Sequence, residues 1–112
     1  MWEKMKDLDA KQDWRGLAAL EQEARTVATQ APPDLACAIY SRLGVCYMSM
    51  GQYEKAIALH QEHKKIAEEV GDRAGVGRAC GSLGNCYVSM GQYGKAITLH
   101  EDHKTIAEEV GD

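Results

Sequence analysis

The chain has 112 residues, enough for one compact domain and too few for two. Apolar residues make up 45% of it and charged residues 27%, and no apolar run approaches the roughly 20 residues of a membrane-spanning helix. The net charge of −4 argues against a protein that binds nucleic acid by neutralising many phosphates.

The apolar residues recur at helical spacing, and phenylalanine is absent while helix-forming residues abound. The first two helices are expected at about 2–11 and 14–30. The dipeptide Pro32-Pro33 marks a boundary there, because proline is tolerated only in the first turn of a helix. Four more helices are expected at about 33–50, 53–70, 73–90 and 93–110.

The second half of the chain consists of two copies of one unit. Residues 43–72 and 83–112 are identical at 23 of 30 positions. A weaker third copy lies upstream, where Asp13-Trp14-Arg15-Gly16-Leu17-Ala18-Ala19-Leu20 echoes the segment from Gln52 to Leu59. Such self-similarity is typical of repeat proteins, in which each helix pair stacks on the next.

Glycines lie at the expected helix ends of this unit and inside its helices. Gly51 and Gly71 are expected to end helices, and Asp72 is placed to cap the following one. Gly44 and Gly84 lie inside an apolar stripe, where a glycine costs about 1 kcal/mol of helix propensity, so a close helix approach is expected to compensate. The predicted core positions of the unit are Ala36, Ile39, Tyr40, Leu43, Cys46, Tyr47, Met50, Ala56, Leu59, His60, His63, Ile66, Ala67 and Val70.

The sequence Leu-Gly-x-x-Tyr followed by Gly-x-Tyr-x-x-Ala resembles a tetratricopeptide repeat, lengthened from the usual unit of about 34 residues. Gly77-Arg78-Ala79-Cys80, Ser82-Leu83-Gly84-Asn85 and the run from Ile106 to Asp112 are similar to repeats of the Partner of Inscuteable (LGN-type) family. The resemblance implies an all-α, right-handed superhelical solenoid of three helix-turn-helix repeats. We expect a single domain over 1–112, with repeat 1 at about 1–31, repeat 2 at about 32–72 and repeat 3 at about 73–112.

The resemblance also implies that the first helix of each unit lines an inner groove that holds an extended peptide. Asn85 would hydrogen-bond the ligand backbone and Arg78 would bind its carboxylates. The second unit has Ala38 and Val45 at these two places, which departs from the pattern. Other positions off the packing stripe are Met48 and Gly81. The predicted groove residues are Arg78, Asn85, Ser89, Val88, Val45, Ser49 and Ser41. The alternative is a solvated arginine and an asparagine that packs between repeats.

The histidine pairs His60/His63 and His100/His103 are the strongest candidates for a metal site, because residues three apart share one face of a helix. Their places on the packing stripe favour a structural role, and a shared cation or a pH-sensitive role are the alternatives. The four cysteines, Cys37, Cys46, Cys80 and Cys86, form no CxxC pair. We expect them to be reduced packing residues, with zinc binding or a disulfide as the alternative.

We therefore expect a non-catalytic protein-interaction module with no cofactor and no metal, located in the cytoplasm because no apolar signal segment begins the chain. Its partner would be a protein or peptide, with an acidic segment as the expected ligand, and neither nucleic acid nor a membrane. The alternative is a self-assembling unit that forms a homodimer through the face of its C-terminal repeat. The residues that suggest this open face are Ala96, Leu99, Ile106 and Val110. An enzymatic role is not expected.

Overall fold

The computed structural model describes residues 1–111, which form two layers of antiparallel helices. The helices of this part of the chain are α1 (Trp2–Ala10), α2 (Trp14–Ala18), α3 (Glu21–Gln30), α4 (Pro33–Ser49), α5 (Tyr53–Glu69), α6 (Arg73–Ser89) and α7 (Tyr93–Glu109). Helix α1 contacts α4, α4 contacts α6, and the three helices form one layer. Helices α2, α3, α5 and α7 lie behind them, and α5 packs between α4 and α6. The expected all-α stack of three helix pairs is confirmed.

The one error in the predicted helices is the segment 14–30, which is divided between α2 and α3. Residues Ala19 and Leu20 form the break, where the Leu20 N–H donates to the carbonyl of Leu17, three residues back, at 3.0 Å. This tighter turn buries both Leu17 and Leu20, and the Ala24 N–H resumes the regular ladder by donating to Leu20 at 2.8 Å. The remaining helix ends agree with the expectation to within one residue.

The repeated glycines end the helices as predicted. Gly51, Gly71 and Gly91 have φ values of +76°, +74° and +74°. This backbone conformation is less favourable in free energy for a residue with a Cβ atom than for glycine. Asp72 caps α6, because its Oδ1 accepts a hydrogen bond of 2.9 Å from the Gly75 N–H. Asp112, which repeats Asp72 in the sequence, lies outside the described residues.

The glycines inside the apolar stripe mark the closest approach within each helix pair. A Cβ atom on Gly44 would lie 2.6 Å from two ring atoms of His60, and one on Gly84 would lie 2.7 Å from the ring of His100. The imidazole of the second helix therefore occupies the space that a side chain on the first helix would need. This confirms the expected close approach and identifies the group that makes it.

Most of the predicted core is buried, and Val70 is the clear exception. Its side chain is 53% exposed, because it follows the last residue of α5 at the point where the chain turns away. His60 and His63 are almost fully buried, as expected of packing residues. Their counterparts His100 and His103 are only half-buried, since no further helix covers α7 in the described residues.

The Gly44–His60 contact can be tested against a glycine in open space. Gly44→Ala should lower the free energy of unfolding by about 1–3 kcal/mol, because the buried ring has no room to move away from the new methyl group. Gly94→Ala is the matched control: a Cβ there meets nothing within 4 Å, so the gain in helix propensity should raise stability by about 0.5 kcal/mol. Urea denaturation measures both, and equal stability of the two variants would contradict the contact.

Candidate functional site: the inner helical face

The inner layer offers a continuous surface along α4 and α6. The two helices touch near their C-terminal ends, where the Cys86 Sγ lies 3.7 Å from the Met48 Sδ. Met48 is thus partly buried at this contact, which corrects its expected place on the free face. Gly81 is also buried, because the His103 ring covers it at a distance of 2.7 Å from where its Cβ would be.

The seven predicted groove residues are not part of the core. Six of them have exposed side chains, namely Val45, Ser49, Arg78, Asn85, Val88 and Ser89. Ser41 is half-buried. In the described part of the chain, the Asn85 amide makes no side-chain hydrogen bond, so its donor and acceptor both face solvent. Six of the seven predicted positions are thus exposed on α4 and α6, whereas Ser41, Met48 and Gly81 are partly or fully buried, and the binding role of this face stays a prediction.

Arg78 is an exposed cation of this face, and a residue of opposite charge lies near it. Its Nη2 lies 3.8 Å from the Oδ2 of Asp72, the residue that caps the same helix. Both side chains are well exposed, so this pair contributes little to stability and the guanidinium stays accessible to another carboxylate. The polar half of the face is therefore the α6 half, where Arg78 and Asn85 stand two turns apart.

The α4 half of the face has a wall that the sequence did not predict. A depression of about 310 Å³ lies between α1 and α4. Its lining residues are Trp2, Asp9, Ala38, Ser41, Arg42 and Val45. Two of the predicted groove residues, Ser41 and Val45, thus line this depression together with side chains from the first helix. No signal in the sequence located this wall, because α1 has no counterpart at a fixed distance in the repeated units.

Arg42 holds α1 against α4. Its guanidinium forms an ion pair with Asp9 and lies 5.1 Å from the centroid of the Trp2 ring. The cation is therefore balanced by a carboxylate and stacked on an aromatic face. A second polar link joins α3 to α4, where the Tyr47 hydroxyl donates to Glu21, whose carboxylate also accepts from the Arg25 Nε at 2.8 Å. The divergent first unit is thus fastened to the second partly by polar contacts.

Comparison with known proteins identifies the kind of module. A family model described as tetratricopeptide repeat matches residues 35–109. The chain belongs to the tetratricopeptide repeat family. Tetratricopeptide repeats are stacked into solenoids whose extended concave surfaces serve protein–protein interaction, and nothing in this family or fold points to catalysis.

Two curated relatives confirm the resemblance to LGN-type tetratricopeptide repeats. The chain is 46% identical over 71 residues to the G-protein-signaling modulator 1 of Mus musculus and to that of Rattus norvegicus. The match covers 63% of this chain, and the chain spans about a tenth of the length of these relatives. The TPR domain of Arabidopsis FLU has the same fold, with a TM-score of 0.83 at 20% identity over 98% of this chain and 92% of that one.

Burial disfavours the thiolate form of the four cysteine side chains in these tetratricopeptide units. Burial raises the pKa of the Cys46 thiol to about 11, and it raises the pKa of the other three cysteines as well. All four cysteines are free and buried, as predicted. The Cys46 thiol donates to the Trp14 carbonyl at 3.1 Å, and the Cys37 thiol to the His63 carbonyl at 3.7 Å. They act as small packing residues between the helices.

Burial disfavours the charged form of both His60 and His63. Burial lowers the pKa of His60 to about 4, and the neighbouring His63 adds to this effect. Burial is also the main cause that lowers the pKa of His63. The Nδ1 atoms of both rings are buried without a hydrogen-bond partner in the described residues. Across residues 1–111, no three or more histidine, cysteine, aspartate or glutamate side chains cluster as metal ligands would.

None of the helices in this part of the chain is both long enough and apolar enough to cross a membrane.

The lowered pKa of His60 predicts how stability depends on pH. The folded state resists the proton down to about pH 4, whereas the unfolded chain accepts it near pH 6.5. The free energy of unfolding should therefore fall below pH 6.5 by up to about 1.4 kcal/mol per pH unit for this residue, and the loss should level off near pH 4. His60→Leu, which cannot be protonated, should show a smaller slope between pH 6 and 4.5. Denaturant titrations at several pH values measure this, and equal slopes would refute it.

Proposed function

We propose that this tetratricopeptide module binds an extended, acidic peptide segment of a partner protein along the face formed by α4 and α6. The observation that carries the proposal is the row of exposed side chains on two adjacent inner helices, from Val45 and Ser49 to Asn85 and Arg78, none of which the core requires. The module would act as a non-catalytic scaffold or adaptor, and the four reduced thiols fit a cytoplasmic location.

The chemistry of the α6 half favours an extended ligand with carboxylates. An extended peptide has backbone N–H and C=O groups that need partners, and the Asn85 amide offers one acceptor and two donors. The Arg78 guanidinium can bind a carboxylate through two parallel hydrogen bonds. The named role of the rodent relatives, modulation of G-protein signalling, supports a partner that is itself a signalling protein.

Charge reversal at Arg78 tests the polar half of the face. Arg78→Glu should weaken binding of a pool of fluorescent acidic peptides at least about tenfold, because an attraction becomes a repulsion. Binding to the unchanged protein should also weaken between about 0.1 M and about 1 M salt, as the screening length falls from about 10 to about 3 Å. Fluorescence anisotropy measures both effects, and circular dichroism checks that the fold is retained.

Lys65→Glu provides the matched control, since Lys65 is an equally exposed cation on α5, in the outer layer. It changes the net charge by the same amount away from the proposed face. Equal weakening by the two variants would count against the site. So would an affinity that changes neither with Arg78→Glu nor with salt.

A second candidate function is self-assembly through α7. In the second unit Ile57 is only 9% exposed, because α6 covers α5, whereas its counterpart Ile97 is 58% exposed. Tyr93 is likewise 62% exposed, while its counterpart Tyr53 is half-buried. Large apolar side chains left open in this way usually mark an interaction surface. We propose a homodimer in which the two α7 faces meet about a two-fold axis.

Of the four residues that the sequence suggested for this open face, Val110 is exposed and Leu99 is half-buried, whereas the other two are buried. Ala96 and Ile106 are buried against α6 within their own helix pair, so they are not available to a partner. In α1, at the opposite end of the stack, no large apolar side chain is as exposed as Ile97 and Tyr93 are in α7. The exposed charged residues of α1 are Glu3, Lys4 and Asp7, followed by Lys11. These charges make a head-to-tail contact with Ile97 and Tyr93 unfavourable and favour the symmetric pairing.

Sedimentation as a function of concentration tests the α7 pairing. The unchanged protein should shift from monomer to dimer with rising concentration, and Ile97→Glu should remain a monomer, because two buried carboxylates would face each other. Val70→Glu is the matched control, as Val70 is similarly exposed but lies at the end of α5. A monomer at all concentrations, or equal effects of the two substitutions, would refute self-assembly through this face.

A further inference from the structure

The depression between α1 and α4 has the size of a subsite for one side chain. Its volume of about 310 Å³ would hold about ten water molecules at liquid density. It therefore stands at the lower end of the roughly 300–1,000 Å³ found for pockets that enclose whole small molecules. It is also continuous with the proposed peptide face, because Ser41 and Val45 belong to both.

The lining of the depression favours an apolar occupant. Ala38 and Val45 offer only aliphatic carbon from the α4 side, and the Trp2 indole supplies an aromatic wall from α1. Water against such a surface has few hydrogen-bond partners, so an apolar group that displaces it gains affinity. The remaining lining residues, Asp9, Ser41 and Arg42, are polar, and two of them are paired with each other.

The one cation in the lining is already engaged. The Arg42 guanidinium is paired with Asp9 and stacked on Trp2, and its side chain is only 30% exposed. A carboxylate that entered the depression would meet Asp9 as well as Arg42, so the pair offers no net positive charge to an acidic ligand. Arg78, by contrast, is 65% exposed, so the acidic and apolar parts of a ligand are attracted to different places.

We propose that the depression binds a bulky aliphatic or aromatic side chain of the partner peptide, while Arg78 and Asn85 bind an acidic stretch of the same peptide. The inference rests on the function proposed above and adds a second recognition element to it. Ala38 and Val45 stand on α4 at the positions that Arg78 and Asn85 take on α6, exactly one repeat apart in the sequence. The two subsites thus lie side by side across neighbouring helices.

The spacing of the two elements in the peptide follows from helix packing. Neighbouring helix axes lie about 8–10 Å apart, and the depression lies on the far side of α4 from α6. An extended peptide advances about 3.3 Å per residue. The apolar residue and the acidic stretch should therefore be separated by about three to five residues.

Trp2 provides a direct readout of the depression. The chain has two tryptophans, so Trp14→Phe leaves Trp2 as its only indole. The probes are synthetic Gly/Ser peptides with two glutamates and one leucine about four residues away, made in both orders, each with a leucine-to-alanine partner. The leucine peptide should bind at least about tenfold more tightly than the alanine peptide and shift the Trp2 emission to shorter wavelength. Calorimetry measures the affinities.

Substitution of the depression separates the two subsites. Val45→Asp should abolish the preference for leucine while the alanine peptide still binds through Arg78. Val70→Asp, which changes another exposed valine outside this surface, should leave the preference unchanged. Equal binding of both peptides with constant Trp2 emission would overturn the apolar subsite and leave the proposed function intact. Leucine-dependent binding that Arg78→Glu does not weaken would support the subsite and refute the acidic site. No binding of either peptide would overturn both.

Discussion

The contact between a glycine of one helix and a histidine ring of the next holds each long helix pair together. Because Gly44 has no side chain, α4 and α5 approach until the His60 imidazole fills the gap, and Gly84 and His100 do the same in the following pair. Burial of the His60 ring, whose Nδ1 has no hydrogen-bond partner in the described residues, disfavours its charged form. The same contact recurs in both long helix pairs, where it accompanies the packing of the apolar side chains of the core.

The repeat made the architecture of the second half predictable, and its absence explains the error in the first. Because the unit occurs twice, each position can be compared with its counterpart in the other copy. Gly51 and Gly71 could therefore be assigned to turns, and Asp72 to a helix cap. The segment 14–30 has only a partial copy, and periodicity alone cannot distinguish a continuous helix from one with a tightened turn at Leu20. Exposure at the end of a helix, as for Val70, also depends on where the chain turns rather than on the spacing of apolar residues.

The candidate site was predictable only where it belongs to the repeated helices. The exposed places of Arg78, Asn85 and Val45 follow from helical periodicity once the packing stripe is known. The wall that Trp2 and Asp9 supply does not, because it depends on how α1 sits against α4, a tertiary contact between segments of unlike sequence. Gly81 was misplaced for a related reason. A position can lie off the apolar stripe and still be covered when the facing helix carries a ring as large as His103.

The attachment of α1 has a consequence for the dynamics of the molecule. This helix contributes a single fully buried side chain, Met5, besides the half-buried Trp2 and Leu8, and its Asp9 forms a partly exposed ion pair with Arg42. Helices held by so few buried contacts open locally at a smaller free-energy cost than the whole molecule. When α1 opens, one wall of the depression leaves with it. A ligand that occupies the depression must therefore slow amide hydrogen exchange in α1 by binding only the closed state, so that ordering of the first helix and recognition of the peptide are thermodynamically linked.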